Sequence, residues 1–248
     1  MANRSMQAVY VAGAARIPFV KSGTNYRNVT TNELMLASLN HLVEQCRLQG
    51  KLIDEVALGA VMNRSTEWPI AREVVLSTAL HPCTPAYFVQ RACGTSLDTA
   101  SQIALKIGAG QIESGISAGF DTNSDVPILF PRSFSRKLLN LRDAPSVGAR
   151  IAKALAFGFK DLRPDIPRNA EARTGLSMGE HTELMVKEWG ITREAQDQLA
   201  LTSHKNLAKA YDEGFFKDLV YEFKGVAHDP FVLLSLPYES VYARLPFL

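Results

Sequence analysis

The sequence has few groups that could bind a metal or form a disulfide: its three cysteines, Cys46, Cys83 and Cys93, form no CxxC pair, and its five histidines form no cluster. A structural zinc site or a disulfide framework is therefore not expected, and the thiols read as reduced. Long apolar runs are also missing. The apolar stretch near the N-terminus is interrupted by Gly13 and Arg16, which makes it a poor signal peptide and far too short to span a bilayer. Charge of one sign is lacking too, because 27 Lys and Arg face 25 Asp and Glu for a net charge of +2. So near a balance gives no general attraction to nucleic acid or a membrane surface, and any basic site must be local. No internal repeat or low-complexity run is present. Together these absences predict a cytoplasmic protein with no metal, no membrane span and no nucleic-acid partner.

What is present is an ordinary globular composition: 248 residues, 46% hydrophobic and 21% charged. That length supports a substantial core in one large domain, or in one domain carrying an insertion. Residues 7–14 (QAVYVAGA) are a β-rich run. A helical pattern begins near Thr31, with Leu34, Ala37, Leu42 and Val43 roughly on one face. Val56–Val61 reads as a strand, Arg72–Leu80 as a helix, and Ala86–Gln90, opened by Pro85, as another strand. From Thr95 to Ala109 the apolar positions Leu97, Ala100, Ala104 and Ile107 step by three and four, a buried helical stripe, and Ile116–Gly119 follows as a strand. Strand and helix alternating at short range predict parallel βαβ units, an α/β layer over residues 1–125.

After Asp121 the pattern changes. Pro127, Pro131, Pro145, Pro164 and Pro167 punctuate a basic, irregular stretch holding Arg132, Arg136, Lys137, Arg142, Arg150, Lys153 and Lys160. Two helices are predicted beyond it. One spans Glu180–Trp189 and stops at Gly190; the other starts after Thr192 as N-cap and ends near Gly214. Residues 126–224 thus read as an inserted, mainly helical domain. The segment Pro230–Leu248 carries only Glu239 and Arg244 as charges among large apolar side chains. It reads either as a strand or loop packed on the core or as a surface left for a partner to cover.

Chemistry concentrates at Cys93, placed between a buried strand and the first turn of a helix. There the helix dipole and free backbone N–H groups favour a thiolate, the reactive form of cysteine. Gly94 lets the backbone turn and a substrate approach, and the Thr95 and Ser96 hydroxyls can serve the helix start. On spacing alone, a lone cysteine is more often a small buried hydrophobe than a catalyst, the reading kept for Cys46 and Cys83.

Several ordered motifs resemble the thiolases, acyl-CoA acyltransferases that condense or cleave β-ketoacyl-CoA, and among them the 3-ketoacyl-CoA thiolases of fatty-acid β-oxidation. Arg16-Ile-Pro-Phe19 resembles the family's Arg-Thr-Pro-Phe. Val89-Gln-Arg-Ala-Cys93-Gly-Thr-Ser resembles its nucleophile loop, and Ala118-Gly-Phe-Asp-Thr-Asn-Ser-Asp-Val-Pro127 its Ala-Gly-Gly-x-Glu-x-Met-Ser-x-x-Pro signature, with Asp121 near the usual acid. Ser177-Met-Gly-Glu-His-Thr-Glu183 resembles the Met-Gly-x-Thr-Ala-Glu motif of the family's loop domain, and Arg193-Glu-Ala-Gln-Asp197 with Ser203-His204 the helix after it. The resemblance covers residues 8 to about 224. It implies a thiolase-like N-terminal βαβαβ layer with an inserted helical loop domain over 126–224, and a divergent apolar tail over 225–248.

The resemblance further implies that Cys93 carries the acyl group as a thioester and that Met178, with Gly179, lies against the acyl or pantetheine end. Basic side chains of the loop domain would hold CoA phosphates. CoA and acyl-CoA would be substrates, with no permanently bound cofactor. The implied partner is a second copy, in a homodimer or tetramer formed through the first half, or a β-oxidation partner subunit. The Gly-His-Pro, Cys-x-Gly-Gly-Gly and Asn-Glu-x-Phe loops that thiolases use for proton transfer and the oxyanion hole occur nowhere in the chain, so the second half of the family fold is expected to be absent. Two other readings stand beside the first: a catalytically inactive acyl-CoA-binding or regulatory fragment, and a condensing enzyme of the ketoacyl-synthase type.

Overall fold

A computed structural model describes residues 6–62, 64, 66–165 and 170–230. The apolar tail from residue 231 onward and residues 1–5 lie outside the described residues, as does Pro167. The chain divides into two units, one running to Asp125 and resuming at Ile191, the other Val126–Gly190. The first boundary falls where the composition changes. The segment from Ile191 on, grouped by its sequence with the inserted domain, belongs instead with the first unit.

The first unit is built on a parallel sheet of β1 (Glu55–Gly59), β2 (Ala86–Val89) and β3 (Gly115–Gly119), in the order β2-β1-β3. Val56 to Gly59 pair with Ala86 to Val89 on one side, and Glu55 to Gly59 with Gly115 to Gly119 on the other. Parallel neighbours require crossovers, and the helices supply them: α2 (Ile70–Leu76) joins β1 to β2, and α3 (Thr95–Gly108) joins β2 to β3. Ahead of them α1 (Thr31–Gln45) starts on a capping box, in which the Glu33 N–H donates to the Thr30 hydroxyl and the Glu33 carboxylate accepts from the Thr30 N–H. The Thr30 N–H and hydroxyl hold the Glu33 carboxyl below its usual range.

Side chains alternate across a strand, so each strand shows two faces. One face carries Val56, Leu58 and Ile116, which pack in a single core with Met35, Leu39 and Val43 of α1 and Ile70, Val74 and Val75 of α2. Leu58 is fully buried there. Leu58→Ala is expected to cost about 3 kcal/mol through lost contacts and a cavity, read as a lower denaturant midpoint at unchanged slope. The opposite face carries Ala57, Gly59, Gly115, Ser117 and Gly119. These small residues let α3 sit close against the sheet: a Cβ on Gly115 would lie 2.6 Å from Ile103 Cγ2.

The β-rich run 7–14 forms no strand. Its only backbone bond among the described residues is from the Gln7 N–H to the Gly108 carbonyl, and Tyr10 and Val11 stand exposed. β propensity needs a paired neighbour to become a strand, and the described residues place none beside this run. A second core joins Tyr26, Val29 and Leu34 to Val226, with Ile17, Val20 and Phe223 against them. Residues 225–230, read from sequence as the start of a divergent tail, are thereby part of the first unit. Helix α7 (Arg193–Asp212), capped by Thr192, also belongs here.

The second unit is mainly helical, as expected, but its basic stretch is more regular than its prolines suggest. Arg132–Arg142 forms α4 and Val147–Ala154 forms α5. Pro131 stands at the N-cap of α4 and Pro145 in the turn before α5, so the prolines punctuate the helices instead of excluding them. Lys137 Nζ donates to Asp161 Oδ2 at 2.7 Å and to the Ala156 carbonyl at 2.8 Å, and Phe134 packs between Phe130 and Phe157. Helix α6 (Met178–Trp189) opens on a Ser177–Glu180 capping box and closes at Gly190 in the left-handed conformation. Among the described residues no helix is long and apolar enough to cross a membrane.

Candidate active site

Strand β2 delivers the chain to a tight turn, Gln90–Gly94, from which α3 departs. Ala92 has φ +45°, a left-handed conformation that costs a residue with a Cβ roughly 1–2 kcal/mol. The turn is closed by the Gly94 N–H to the Arg91 carbonyl at 3.1 Å and by Thr95, whose hydroxyl accepts from the Arg91 N–H at 2.8 Å and donates to the Ala92 carbonyl at 2.7 Å. The Arg91 guanidinium donates to Asp98 Oδ1 at 2.6 Å, and Gln102 donates to the other oxygen of the same carboxylate. Cys93 sits on this turn, one residue before the Gly94 N-cap, with its side chain exposed. Among the described residues the N–H groups of Ser96 and Leu97 have no backbone acceptor, as first-turn amides of a helix do.

Two glycines fix where the turn lies. A Cβ on Gly59, at the end of β1, would run into Thr95 Cγ2 and lie 2.8 Å from the Val89 carbonyl oxygen. One on Gly119, at the end of β3, would run into Ser96 Oγ. The first turn of α3 is thus seated on the ends of both strands. Gly59→Ala is expected to cost about 1–3 kcal/mol through overpacking, measured by thermal or denaturant unfolding.

Exposure alone does not single out Cys93, since Cys83 is exposed as well and Cys46 is half-buried. The difference lies in the backbone. Cys83 occupies a turn where its N–H donates to His81 Nδ1, and Cys46 is the C-cap of α1, at the negative end of a helix. Cys93 alone is placed at a helix start.

A cavity of about 610 Å³ lies in the same unit, with Arg16, Tyr26, Ser38, Ser96, Asp121 and Ser124 among its lining residues. Ser96, three residues after Cys93, forms part of its wall. Asp121, one residue before the position of the family's usual acid, accepts the Val61 N–H at 2.6 Å and the Met62 N–H at 3.2 Å and so fixes the loop after β1. Burial pushes the Tyr26 phenol up to about 12.

Arg16 forms a fork on Asp229, at 2.8 and 2.7 Å, and the Phe19 N–H donates to Oδ1 of the same carboxylate at 2.7 Å. The Arg16 guanidinium also lies 4.6 Å from the centre of the Phe19 ring. Sequence reasoning missed Asp229: nothing local marks it, and its partner is 213 residues away. Its only sequence signal is that it is one of two carboxylates, with Glu239, in an otherwise apolar ending.

The histidines do not serve Cys93. His41 stacks on Tyr221 with ring centres 3.9 Å apart, His181 lies 3.0 Å from the Thr174 hydroxyl, and among the described residues none hydrogen-bonds the Cys93 sulfur. Met178 and Gly179 belong to the other unit, at the start of α6, where Met178 is half exposed. Of the basic residues of that unit, Lys137, Arg142 and Lys153 are engaged within it: Lys137 with Asp161, Arg142 with Asp143 and Lys153 with the Asn140 carbonyl. Among the described residues no group of His, Cys, Asp and Glu is arranged to hold a metal.

The family profile "Thiolase, N-terminal domain" matches residues 9–230. A 3-ketoacyl-CoA thiolase of Shewanella denitrificans is 35% identical over 218 residues, 88% of this chain and 50% of its own length. One from Shewanella baltica is 35% identical over 242 residues, 98% of this chain and 53% of its own. The chain therefore spans about half the length of the curated relatives it matches. Among solved structures, the acetyl-CoA acetyltransferase of Bacillus anthracis shares the fold with a TM-score of 0.76 at 23% identity, over 97% of this chain and 59% of that one. A thiolase from Ascaris suum in complex with coenzyme A has a TM-score of 0.74 at 19% identity, over 94% and 56%. The strand-turn-helix that carries Cys93, the α/β layer beneath it and the matched residues 9–230 agree, and the chain belongs to the thiolase family.

Proposed function

We propose that this chain performs the acyl-capture step of an acyl-CoA acyltransferase, with Cys93 as the acyl acceptor and a β-ketoacyl-CoA of fatty-acid β-oxidation as donor. The observation that carries this is an exposed thiol on a strained turn at the start of a helix seated on two strand ends. In the reaction the Cys93 sulfur attacks the keto carbon, and the bond between that carbon and its neighbour breaks. The electron pair leaves with acetyl-CoA, which takes up a proton, and the acyl group stays on sulfur as a thioester. Attack by the thiol of a second CoA returns the acyl group to CoA and frees Cys93. Met178 and Gly179 are the proposed contacts for the acyl or pantetheine end, and the proposed assembly is a homo-oligomer of the first half.

Thiols are already partly ionised at neutral pH and intrinsically nucleophilic. Capture by Cys93 therefore does not require the histidine that the family takes from its Gly-His-Pro loop. During capture the carbon of the departing acetyl-CoA takes its proton from water, the condensing direction needs a base to remove that proton again, and return of the acyl group needs only the thiol proton of CoA to be released. With no CoA added, the acyl group can leave Cys93 only by hydrolysis, which is slower than capture by the thiol. Mixing the chain with a β-ketoacyl-CoA should release about one acetyl-CoA per chain in a burst, followed by slow release. No burst, with the protein folded, contradicts the proposal.

A second reading, acyl-CoA binding without chemistry, is favoured by the missing proton-transfer motifs. It predicts a melting temperature raised by acyl-CoA with no acetyl-CoA released.

A further inference from the structure

We propose that Thr95 is a positioning residue for Cys93: its buried hydroxyl clamps the backbone on both sides of Ala92 and so holds the sulfur where it reacts. The inference rests on the reading of Cys93 as the acyl acceptor. Ala92 is in the left-handed region at φ +45°, a conformation that an L residue with a side chain leaves unless it is held. Thr95 supplies the hold from within. Its hydroxyl is a donor to the Ala92 carbonyl at 2.7 Å and an acceptor for the Arg91 N–H at 2.8 Å, so one group ties the N–H of the residue before Ala92 to the carbonyl of Ala92 itself and spans the strained residue.

The clamp cannot drift, because Thr95 is 4% exposed and its methyl rests against Gly59 at the end of β1. A side chain at position 59 would displace it. The arm of Arg91 adds an outer hold on Asp98, but that pair is largely solvent-exposed on the arginine side and contributes less. Ser96, by contrast, has no hydrogen bond to the turn among the described residues; its hydroxyl faces Gly119. Thr95 is therefore the residue through which the sheet sets the conformation of the turn.

The test compares Thr95→Val, which keeps the shape and loses the hydroxyl, with Thr95→Ser, which keeps the hydroxyl and loses the methyl. In each full-length protein the alkylation rate of Cys93 by iodoacetamide is divided by that of Cys83, an exposed thiol outside the turn, and the melting temperature is recorded. The clamp predicts that Thr95→Val lowers the Cys93 to Cys83 ratio about tenfold, and that Thr95→Ser keeps it within about twofold of the parent even if its melting temperature falls. Should Thr95→Val not fold, Thr95→Ala, which demands no space, must show the same loss. A folded variant without the hydroxyl whose ratio matches the parent overturns the clamp, as does a Thr95→Ser ratio as low as that of the hydroxyl-free variants. Failure of acyl capture by the parent protein would instead count against the function of Cys93, whatever the ratios of the variants.

Discussion

Replacing Cys93 by serine is expected to lower acyl capture by at least about 1000-fold, while Cys83→Ser leaves it within about twofold. The reasoning turns on what surrounds the sulfur. Among the described residues no side chain hydrogen-bonds Cys93, so a serine there would have no base to take its proton. A hydroxyl is scarcely ionised at neutral pH, whereas a thiol needs no such help to supply some of its reactive form. The substitution changes one atom and leaves the turn, the Thr95 clamp and the glycine contacts as they are. Unfolding of Cys93→Ser should therefore match the parent protein to within about 0.5 kcal/mol, as for exposed positions in general. Activity lost at unchanged stability separates a nucleophile from a packing residue.

The second large effect concerns the tie between the two ends of the first unit. Asp229→Ala should destabilise the protein by about 2–4 kcal/mol, the lower part of the range allowing for the partial exposure of Arg16. The loss leaves the Arg16 guanidinium and the Phe19 N–H without their acceptor in a half-buried setting. Burial of the Asp229 carboxyl acts to raise its pKa, but the Arg16 fork, the Phe19 N–H and Tyr211 outweigh it and hold the group below its ordinary value. A carboxyl that titrates lower when folded than when unfolded stabilises the fold at every pH above its unfolded value, about 3.9. That contribution is lost as the pH falls through the lower, folded-state value. Acid unfolding of the parent should thus steepen below about pH 4, and in Asp229→Asn this part of the pH dependence should be missing. Equal acid profiles for the two proteins would show that the tie does not contribute.

Much of the first unit is legible in the chain itself. The alternation of Val56–Val61, Arg72–Leu80, Ala86–Gln90 and Thr95–Ala109 reads correctly as parallel crossovers, because short apolar runs bounded by Pro and Gly are local signals. The stripe Leu97, Ala100, Ala104 and Ile107, however, is not the buried face of α3: that face is Thr95, Thr99, Ile103 and Gly108, chosen by the small residues of the sheet it meets. The strand-to-helix position of Cys93 follows from the same signals. The strain at Ala92 and the clamp by Thr95 do not, since each depends on a backbone angle that no residue type announces. A trace of the close seat of α3 was present in the small residues Ala57 and Gly59, and Gly115, Ser117 and Gly119, each set two apart along a strand. Read as one face of a pleat, they mark where a helix comes near.

Other parts were not legible, for definite reasons. Residues 7–14 have strand composition, but a strand is made by its neighbour, and a neighbour is not a property of the segment. In α4 and α5 the prolines looked like breaks within an irregular stretch, when they stand just before the helices. Asp229 was hidden by distance along the chain, because a half-buried ion pair between residues 213 apart leaves no periodic trace. The allocation of α7 to the first unit depends likewise on tertiary contact.

The most direct test of acyl capture is peptide mapping of the 248-residue protein after brief exposure to a β-ketoacyl-CoA and acid quenching. The account predicts the acyl mass on the peptide holding Cys93, with the peptides of Cys46 and Cys83 unmodified, and its removal when CoA is added in excess. Acyl mass spread over the three thiols in proportion to their exposure, or none on Cys93 in the folded protein, would contradict it.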